Sequence, residues 1–542
     1  MQANKQVDAV VVGAGFAGLY MLHKLREANL NTVVFEAGSQ VGGVWYWNLY
    51  LGAKCDIDSI YYCYTFSEEL YKKWNWNSKY PKQQEILNYL NFVADELDLR
   101  KDIQFNTQVV GATFDEANNM WDVELKNGEI VTAKYFISAV GCLSATNIPK
   151  IEGIDQFQGE AYHTGKWPHQ PVDLTNKRVG VIGTGSSGVQ TIPEVAKVAK
   201  ELTVFQRTAQ YVLPANNHDY SEEFVEQSKE RYEETRKLLH YSPGGSAIVL
   251  NNRSALEDTP EEREAVFEEA WQTGGFNMTA TYNDLMVNEQ SNSYVSEFLR
   301  GKIKEIVENP ETAEDLSPTY MFGVKRITLG TDYYETYNRS NVKLVNLRKT
   351  PIEKITANGI QTTAGEVPLD VIIYATGYDG MTGPLLRMNI KGRNGVTLNE
   401  KWEEGGKVQT FLGLMTKDFP NFFMITGPES PSVLIVMPTA IEQHVDWITD
   451  CIQYLEKERI QAIEPTLEVE QAWSQHNREI AEMTLYMKGD SWYTGSNIEG
   501  KPRSFLIYLG GFDNYRARCD VAAANNYREF ELLTAVSEME GV

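Results

Sequence analysis

The stretch DAVVVGAGFAGLYMLHKLREANLNTVVFEAG, residues 8–38, decides the reading of the fold. A short apolar strand runs straight into Gly13-x-Gly15-x-x-Gly18, an amphipathic helical run follows, and a second apolar strand closes on Glu36. In such a loop the first glycine permits the tight turn and the second lets the backbone approach a pyrophosphate. The third lets helix and strand pack closely, and the helix N-terminus faces the anion. A lone GxGxxG is a weak signal. Strand before, helix after and acid at the end of the next strand together make it a dinucleotide site, with Glu36 placed to accept hydrogen bonds from a ribose hydroxyl.

Working outward, the same pattern recurs as RVGVIGTGSSGVQTIPEVAKVAKELTVFQRT, residues 178–208. Gly183, Gly185 and Gly188 repeat the spacing, and Ser186 opens the helix. The second strand here ends not on an acid but on Gln206, Arg207 and Thr208. A carboxylate would repel a 2′-phosphate, whereas a guanidinium grips one through charge-assisted hydrogen bonds, so this loop reads as NADP-binding. Two loops of this kind on one chain fit an electron donor meeting a flavin. Between them and the returning strands VKLVNL and LDVIIYATGYDG, residues 221–317 change to charged, helix-favouring text such as SEEFVEQSKERYEETRKLL. The fold class expected is α/β, with two Rossmann-like dinucleotide-binding domains and a mainly helical insertion.

The bulk numbers agree with this plan. A chain of 542 residues exceeds one ordinary core, and 42% hydrophobic with 23% charged residues is the balance of a globular protein. The formal charge of −24 speaks against a nucleic-acid partner and makes any local cluster of cations stand out. Five scattered cysteines, Cys55, Cys63, Cys142, Cys451 and Cys519, include no CxxC pair, so neither a zinc ribbon nor a redox dithiol is supported, and no metal site is expected. The N-terminus enters a strand without a secretory apolar segment, and no run is long enough to span a bilayer. A cytoplasmic protein with no membrane contact and no obligate protein partner is expected.

The chemistry is chosen by the run just before the second loop, Phe157-Gln-Gly-Glu-Ala-Tyr-His163-Thr-Gly-Lys-Trp167-Pro168. This is F-x-G-x-x-x-H-x-x-x-W-P, and here the chain resembles the type I Baeyer–Villiger monooxygenases, whose fingerprint it is. Related flavin-containing and N-hydroxylating monooxygenases usually lack the Trp-Pro ending. His163 is read as a hydrogen-bonded linker that couples domains rather than as a proton carrier. A second family run, Gly42-Gly43-Val44-Trp45-Tyr46-Trp47-Asn48, continues to Gly52 and Asp56. Leu49 and Leu51 stand where the family usually has Arg and Pro, and without the proline the loop is expected to be looser. In MFGVKRI, residues 321–327, Lys325 and Arg326 align with the family's cofactor-binding lysine and catalytic arginine. In DSWYTGSNIEGKPR, residues 490–503, Trp492 matches a tryptophan of a loop over the nicotinamide cofactor. WYWN, DIDSI and SWYTG resemble most the phenylacetone and steroid monooxygenase branch.

The resemblance implies FAD and NADPH as cofactors and a ketone and O2 as substrates. Reduced flavin would trap oxygen as a C4a-peroxide, which Arg326 would keep deprotonated, since arginine cannot lose its own proton in a protein. Asp56 would hold the guanidinium through a fork-like ion pair, and Lys325 with Arg207 and Thr208 would clamp the 2′-phosphate. The FAD contacts expected are Gly13, Gly15, Gly18, Glu36, Gly43, Trp45 and Asp56; the NADP contacts are Gly183, Gly185, Ser186, Gly188, Arg207, Thr208, Lys325 and Trp492. The chain divides into 1–148 and 379–542 as the two parts of an FAD-binding domain, 149–215 and 329–378 as the two parts of an NADP-binding domain, and 216–328 as the helical insertion. The rival reading is a flavin monooxygenase acting mainly on sulfur or nitrogen, which has less need of a cation. A disulfide reductase of the same double-loop plan would require the dithiol this chain lacks.

Overall fold

Two sheets, one mixed and one all-parallel, each built from short apolar strands, organise the protein, for which a computed structural model describes residues 5–534. The outermost limits of the expected division, residues 1 and 542, lie outside the described residues. The first sheet has at its centre Lys5–Val12, flanked by Thr32–Phe35 and Ile130–Ser138, all parallel. Ile103–Gln104 extends one side, and Phe422–Met424 returns from the far end of the chain to pair parallel with Ile130–Ser138. Val10, Val11 and Val34 are fully buried, as the continuous apolar text of a strand covered on both faces requires. An antiparallel pair, Val109–Asp115 and Met120–Leu125, carries the sheet toward its other edge, where Asn389–Lys391 pairs parallel with Val109–Asp115.

The second sheet orders Val342–Asn346, Glu201–Gln206, Arg178–Ile182, Val371–Tyr374 and Glu160–His163, every neighbour parallel. The fingerprint segment therefore supplies an edge strand, and Trp167 just beyond it is buried in the second core. The charged text between the sheets folds as expected into helices, at Glu222–Glu230, Tyr232–Tyr241, Pro260–Thr273, Glu289–Ile306 and Pro310–Leu316. Thr259 and Glu262 form a reciprocal capping box with Pro260 in the first turn, which fixes where the third of these begins. No helix among the described residues is long and apolar enough to cross a membrane.

Candidate active site

Both glycine loops open on one cavity of about 1670 Å³. Gly13 has φ +104°, and a Cβ there would meet the Ala139 carbonyl at 2.7 Å. Gly18 and Gly188 stay out of the cavity. A Cβ on either would strike the carbonyl of the first glycine of its own loop, so the third glycine serves helix–strand packing in both units. Gly13, Gly15, Gly183, Gly185 and Ser186 all line the cavity. The helices that follow, Phe16–Glu27 and Ser186–Val198, start on glycine with no side-chain cap and no acid in the first turn. Their first N–H groups are thus left for an anionic ligand, and at Gly185 the space a Cβ would occupy is open. Gly43 lies against Gly15 and, with Trp45, completes the wall of the first cradle. The donor set and open space fit two dinucleotides.

Glu36 sits at the rim of the first loop, 5% exposed, with Oε2 accepting from the Ala14 N–H at 2.7 Å and Oε1 from Gly38 at 2.6 Å. Burial pushes its pKa up, and the two backbone donors act against that shift. Beside the second loop, Arg207, Thr208 and Lys325 all border the cavity. Burial lowers the Lys325 pKa, and the neighbouring Arg207 and Arg348 charges push it the same way, so three cations share one corner of a strongly acidic protein. Arg348 escaped the sequence reading. It follows the strand Val342–Asn346, whose Asn346 pairs with Gln206, and its Nε donates to the Arg207 carbonyl at 2.9 Å. Only that strand pairing brings it to Arg207.

Asp56 and Arg326, 270 residues apart, meet with Nη2 2.7 Å from Oδ2. Burial opposes the charge on Arg326, but Asp56 and the Tyr493 hydroxyl outweigh it and raise its pKa further. The expected two-pronged fork onto Asp56 is not what forms. The other prong, Nη1, donates to the Val433 carbonyl at 2.8 Å, so a backbone group takes the place of the second carboxylate oxygen. The Phe276 ring lies 5.2 Å from the guanidinium carbon. Both side chains keep about a quarter of their surface, 24% and 27%, open to the cavity. The segment carrying Arg326 is fixed by the insertion: Asn292 on helix Glu289–Ile306 donates to the Phe322 carbonyl and accepts its N–H, at 2.8 and 2.9 Å.

The loop with Leu49 and Leu51 is anchored, contrary to the expectation of a looser turn. Both leucines pack on the second core, and the Gln190 amide accepts from the Tyr50 hydroxyl at 2.8 Å and donates to the Lys54 carbonyl at 3.0 Å. Side-chain burial and these bonds do the work a proline would otherwise do. His163 accepts the Gly165 N–H at Nδ1 and sits 3.3 Å from Thr376 Oγ1, which itself donates to the Asn147 carbonyl. Burial lowers its pKa to about 4, so the ring is neutral near pH 7. Trp492 borders the cavity and lies against Gly380, and its neighbour Tyr493 is the residue that reaches Arg326. All five cysteines are free and buried.

Comparison with known proteins fits this geometry. A family model described as flavin-binding monooxygenase-like matches residues 4–235. The chain is 45% identical over 524 residues to a Baeyer–Villiger monooxygenase of Pseudooceanicola batsensis, covering 96% of this chain and 95% of that one. The chain belongs to the type I Baeyer–Villiger monooxygenase family. It is also 43% identical over 536 residues to a phenazine N-monooxygenase of Lysobacter antibioticus, covering 98% of each. A crystal structure of cyclohexanone monooxygenase from Rhodococcus sp. Phi1 bound to NADP+ matches with a TM-score of 0.96 at 42% identity, over 98% of this chain and all of that one. The α/β plan with two Rossmann-like sheets is thereby the plan of the family, and the protein is a Baeyer–Villiger oxidoreductase that uses FAD and NADPH.

Proposed function

We propose that this Baeyer–Villiger monooxygenase inserts one oxygen atom beside the carbonyl of a ketone, with the Asp56–Arg326 pair at the reacting centre. Per turnover, ketone, O2, NADPH and a proton become ester or lactone, water and NADP+. The observation that carries the reading is the 2.7 Å ion pair in a cavity that both glycine loops share. FAD, when bound, supplies the redox chemistry, taking electrons from NADPH and activating oxygen. The protein's part is electrostatic and positional. Arg326 offers a permanent cation to an oxygen that must stay anionic to attack a carbonyl, and the same charge suits the oxyanion of the tetrahedral adduct. Asp56 and the Val433 carbonyl aim the guanidinium. Glu36 would take a ribose of FAD, while Gly43 and Trp45 wall its cradle. Ser186 and the glycines at 183 and 185 would meet the NADPH pyrophosphate. Arg207, Thr208 and Lys325 would grip the 2′-phosphate, and Trp492 would cover the nicotinamide. The five-part division of the chain given above belongs to this proposal, as does placement in the phenylacetone and steroid branch, which WYWN, DIDSI and SWYTG support.

Oxygen transfer to sulfur or nitrogen is the second reading, favoured by the 43% identity to a phenazine N-monooxygenase. That chemistry uses a protonated oxygen donor and gains little from a fixed cation, so the intact pair argues for ketones. Incubation of the holoenzyme with NADPH, O2 and phenylacetone tests the choice. Benzyl acetate formed in step with NADPH loss is expected. Rapid N-oxidation of aromatic heterocycles, with no ester from aryl, cyclic or steroidal ketones, would overturn it.

A further inference from the structure

Arg348 lies in the turn that follows the strand Val342–Asn346. The turn is built on Asn346, whose Oδ1 accepts the Arg348 N–H at 3.0 Å and whose carbonyl accepts the Thr350 N–H at 2.8 Å. From there the side chain crosses to the end of the neighbouring strand, where Nε donates to the Arg207 carbonyl at 2.9 Å. Backbone and side chain are both tied, yet the far end of the guanidinium is unused. Among the described residues, neither Nη of Arg348 has a hydrogen-bond or ion-pair partner. The Arg207 side chain is likewise unpaired there, and Lys325 Nζ has only the Tyr320 ring, 5.1 Å away. The next residue behaves otherwise: Lys349 pairs with Asp315 at 2.7 Å. Asp490, whose charge also bears on Lys325, is engaged by Arg503 at 3.0 Å.

In a chain with 74 acids against 50 lysines and arginines, three neighbouring cations left without an acid mark a corner kept clear for an anion from outside. The position along the cavity selects which part of the ligand that is. Arg348 is exposed and borders the cavity, so its unpaired Nη groups are open to a ligand. Beside it Ile151, Leu347 and Ile352 pack on one apolar cluster and border the cavity too. An apolar face next to a cationic corner suits the adenine and the phosphorylated ribose of one nucleotide. A guanidinium fork takes phosphate oxygens two at a time, which the point charge of Lys325 cannot do. Anchoring Nε on a carbonyl removes part of the side-chain entropy that such a grip would otherwise cost.

We propose that Arg348 is a further specificity-determining residue, whose Nη groups donate to the 2′-phosphate of NADPH and so separate NADPH from NADH. The proposal rests on the NADP reading of the second glycine loop and adds a residue to it. It is tested on the holoenzyme by calorimetric titration with NADP+, NAD+, 2′,5′-ADP and 5′-ADP. R348A should bind NADP+ and 2′,5′-ADP about tenfold more weakly and stay within about twofold of the parent for NAD+ and 5′-ADP. R348K, which keeps the charge without the fork, should lose about threefold on the two phosphorylated ligands. In an R207A background R348A should cost about fivefold more, because each guanidinium meets the phosphate itself. An equal loss on all four ligands would mean that Arg348 stacks on adenine or holds the fold, and no loss would mean that it faces solvent; either overturns the proposal. No further cost in the R207A background would overturn it too, leaving Arg348 as a prop for the Arg207 backbone. A parent that binds 2′,5′-ADP no better than 5′-ADP would overturn the NADP reading itself, a result distinct from the failure of Arg348 alone.

Discussion

If Arg326 acts as proposed, it separates oxygen activation from oxygen transfer, because the two steps make different demands on one cation. Reduction of the flavin needs NADPH and the two cradles; attack on a carbonyl needs an anionic oxygen next to a charge that never titrates. Arg326→Ala should therefore keep bound FAD and continue to consume NADPH, while ester formation falls by about 10²–10³-fold and hydrogen peroxide takes its place. Product chromatography beside a peroxide assay reads both, and undiminished ester yield would remove Arg326 from the chemistry. Lys325→Ala and Arg207→Ala belong to the other cradle. Each should raise KM for NADPH about 10–100-fold, the worth of a charge-assisted hydrogen bond, and leave KM for NADH nearly unchanged. An equal effect on both cofactors would mean that these cations do not recognise the 2′-phosphate. Residues of this kind were legible in the sequence because side-chain type carries their role. The Val433 carbonyl was not legible, since a backbone acceptor leaves no mark on residue identity, and neither was Arg348, whose place depends on which strand lies beside Glu201–Gln206.

At the scale of elements, the glycine-loop units could be read directly, since strand, turn and helix lie within about thirty residues and each glycine has a local reason. What joins the units could not. Gln190 lies on the second nucleotide helix, Ser186–Val198, yet it clamps the loop of the first domain on either side of Gly52. A Cβ on Gly52, which has φ +84°, would strike the Gln190 carbonyl. This contact takes the place of the stiffness expected of a proline and holds the loop two residues before Asp56. Gln190→Ala should leave the FAD spectrum intact but loosen the loop, so that ester per NADPH drops; a misplacement of ~1 Å would cost on the order of 10²-fold in transfer. Gly52→Ala should be worse, combining a clash with a strained dihedral, and should also lower the melting temperature. Coupling ratios unchanged in both variants would show that the loop is held by its leucines alone.

The whole molecule carries opposing buried titrations whose balance sets its pH optimum of stability. Burial lowers His163 to about 4 and His444 to about 3, so the folded state refuses protons that an unfolded histidine, near 6.5, would accept. Burial raises Glu429 to about 8 despite hydrogen bonds from Ser474 and Thr410, so the folded state keeps a proton that an unfolded glutamate, near 4.5, has released. Between pH 4.5 and 6.5 the unfolded chain thus gains two protons from the histidines and forgoes one at Glu429. Of these three groups the net is one more proton on the unfolded state, a fall in stability of about 1.4 kcal/mol per pH unit as pH falls. His23, lowered by burial, adds to it, and Glu36 and Asp58, raised by burial, act against it. Above 6.5 the histidines are neutral in both states and only the carboxyls remain. Glu429 then favours the folded state less and less as pH rises toward 8. Thermal unfolding followed from pH 4.5 to 8.5 should therefore peak near pH 6.5. Glu429→Gln should flatten the alkaline side and steepen the acid side, where Glu429 no longer offsets the histidines. A melting temperature that climbs steadily to pH 8 would mean that Glu429 is ionised in the folded protein, and that the hydroxyls of Thr410 and Ser474 stabilise its charge rather than merely bonding a neutral acid.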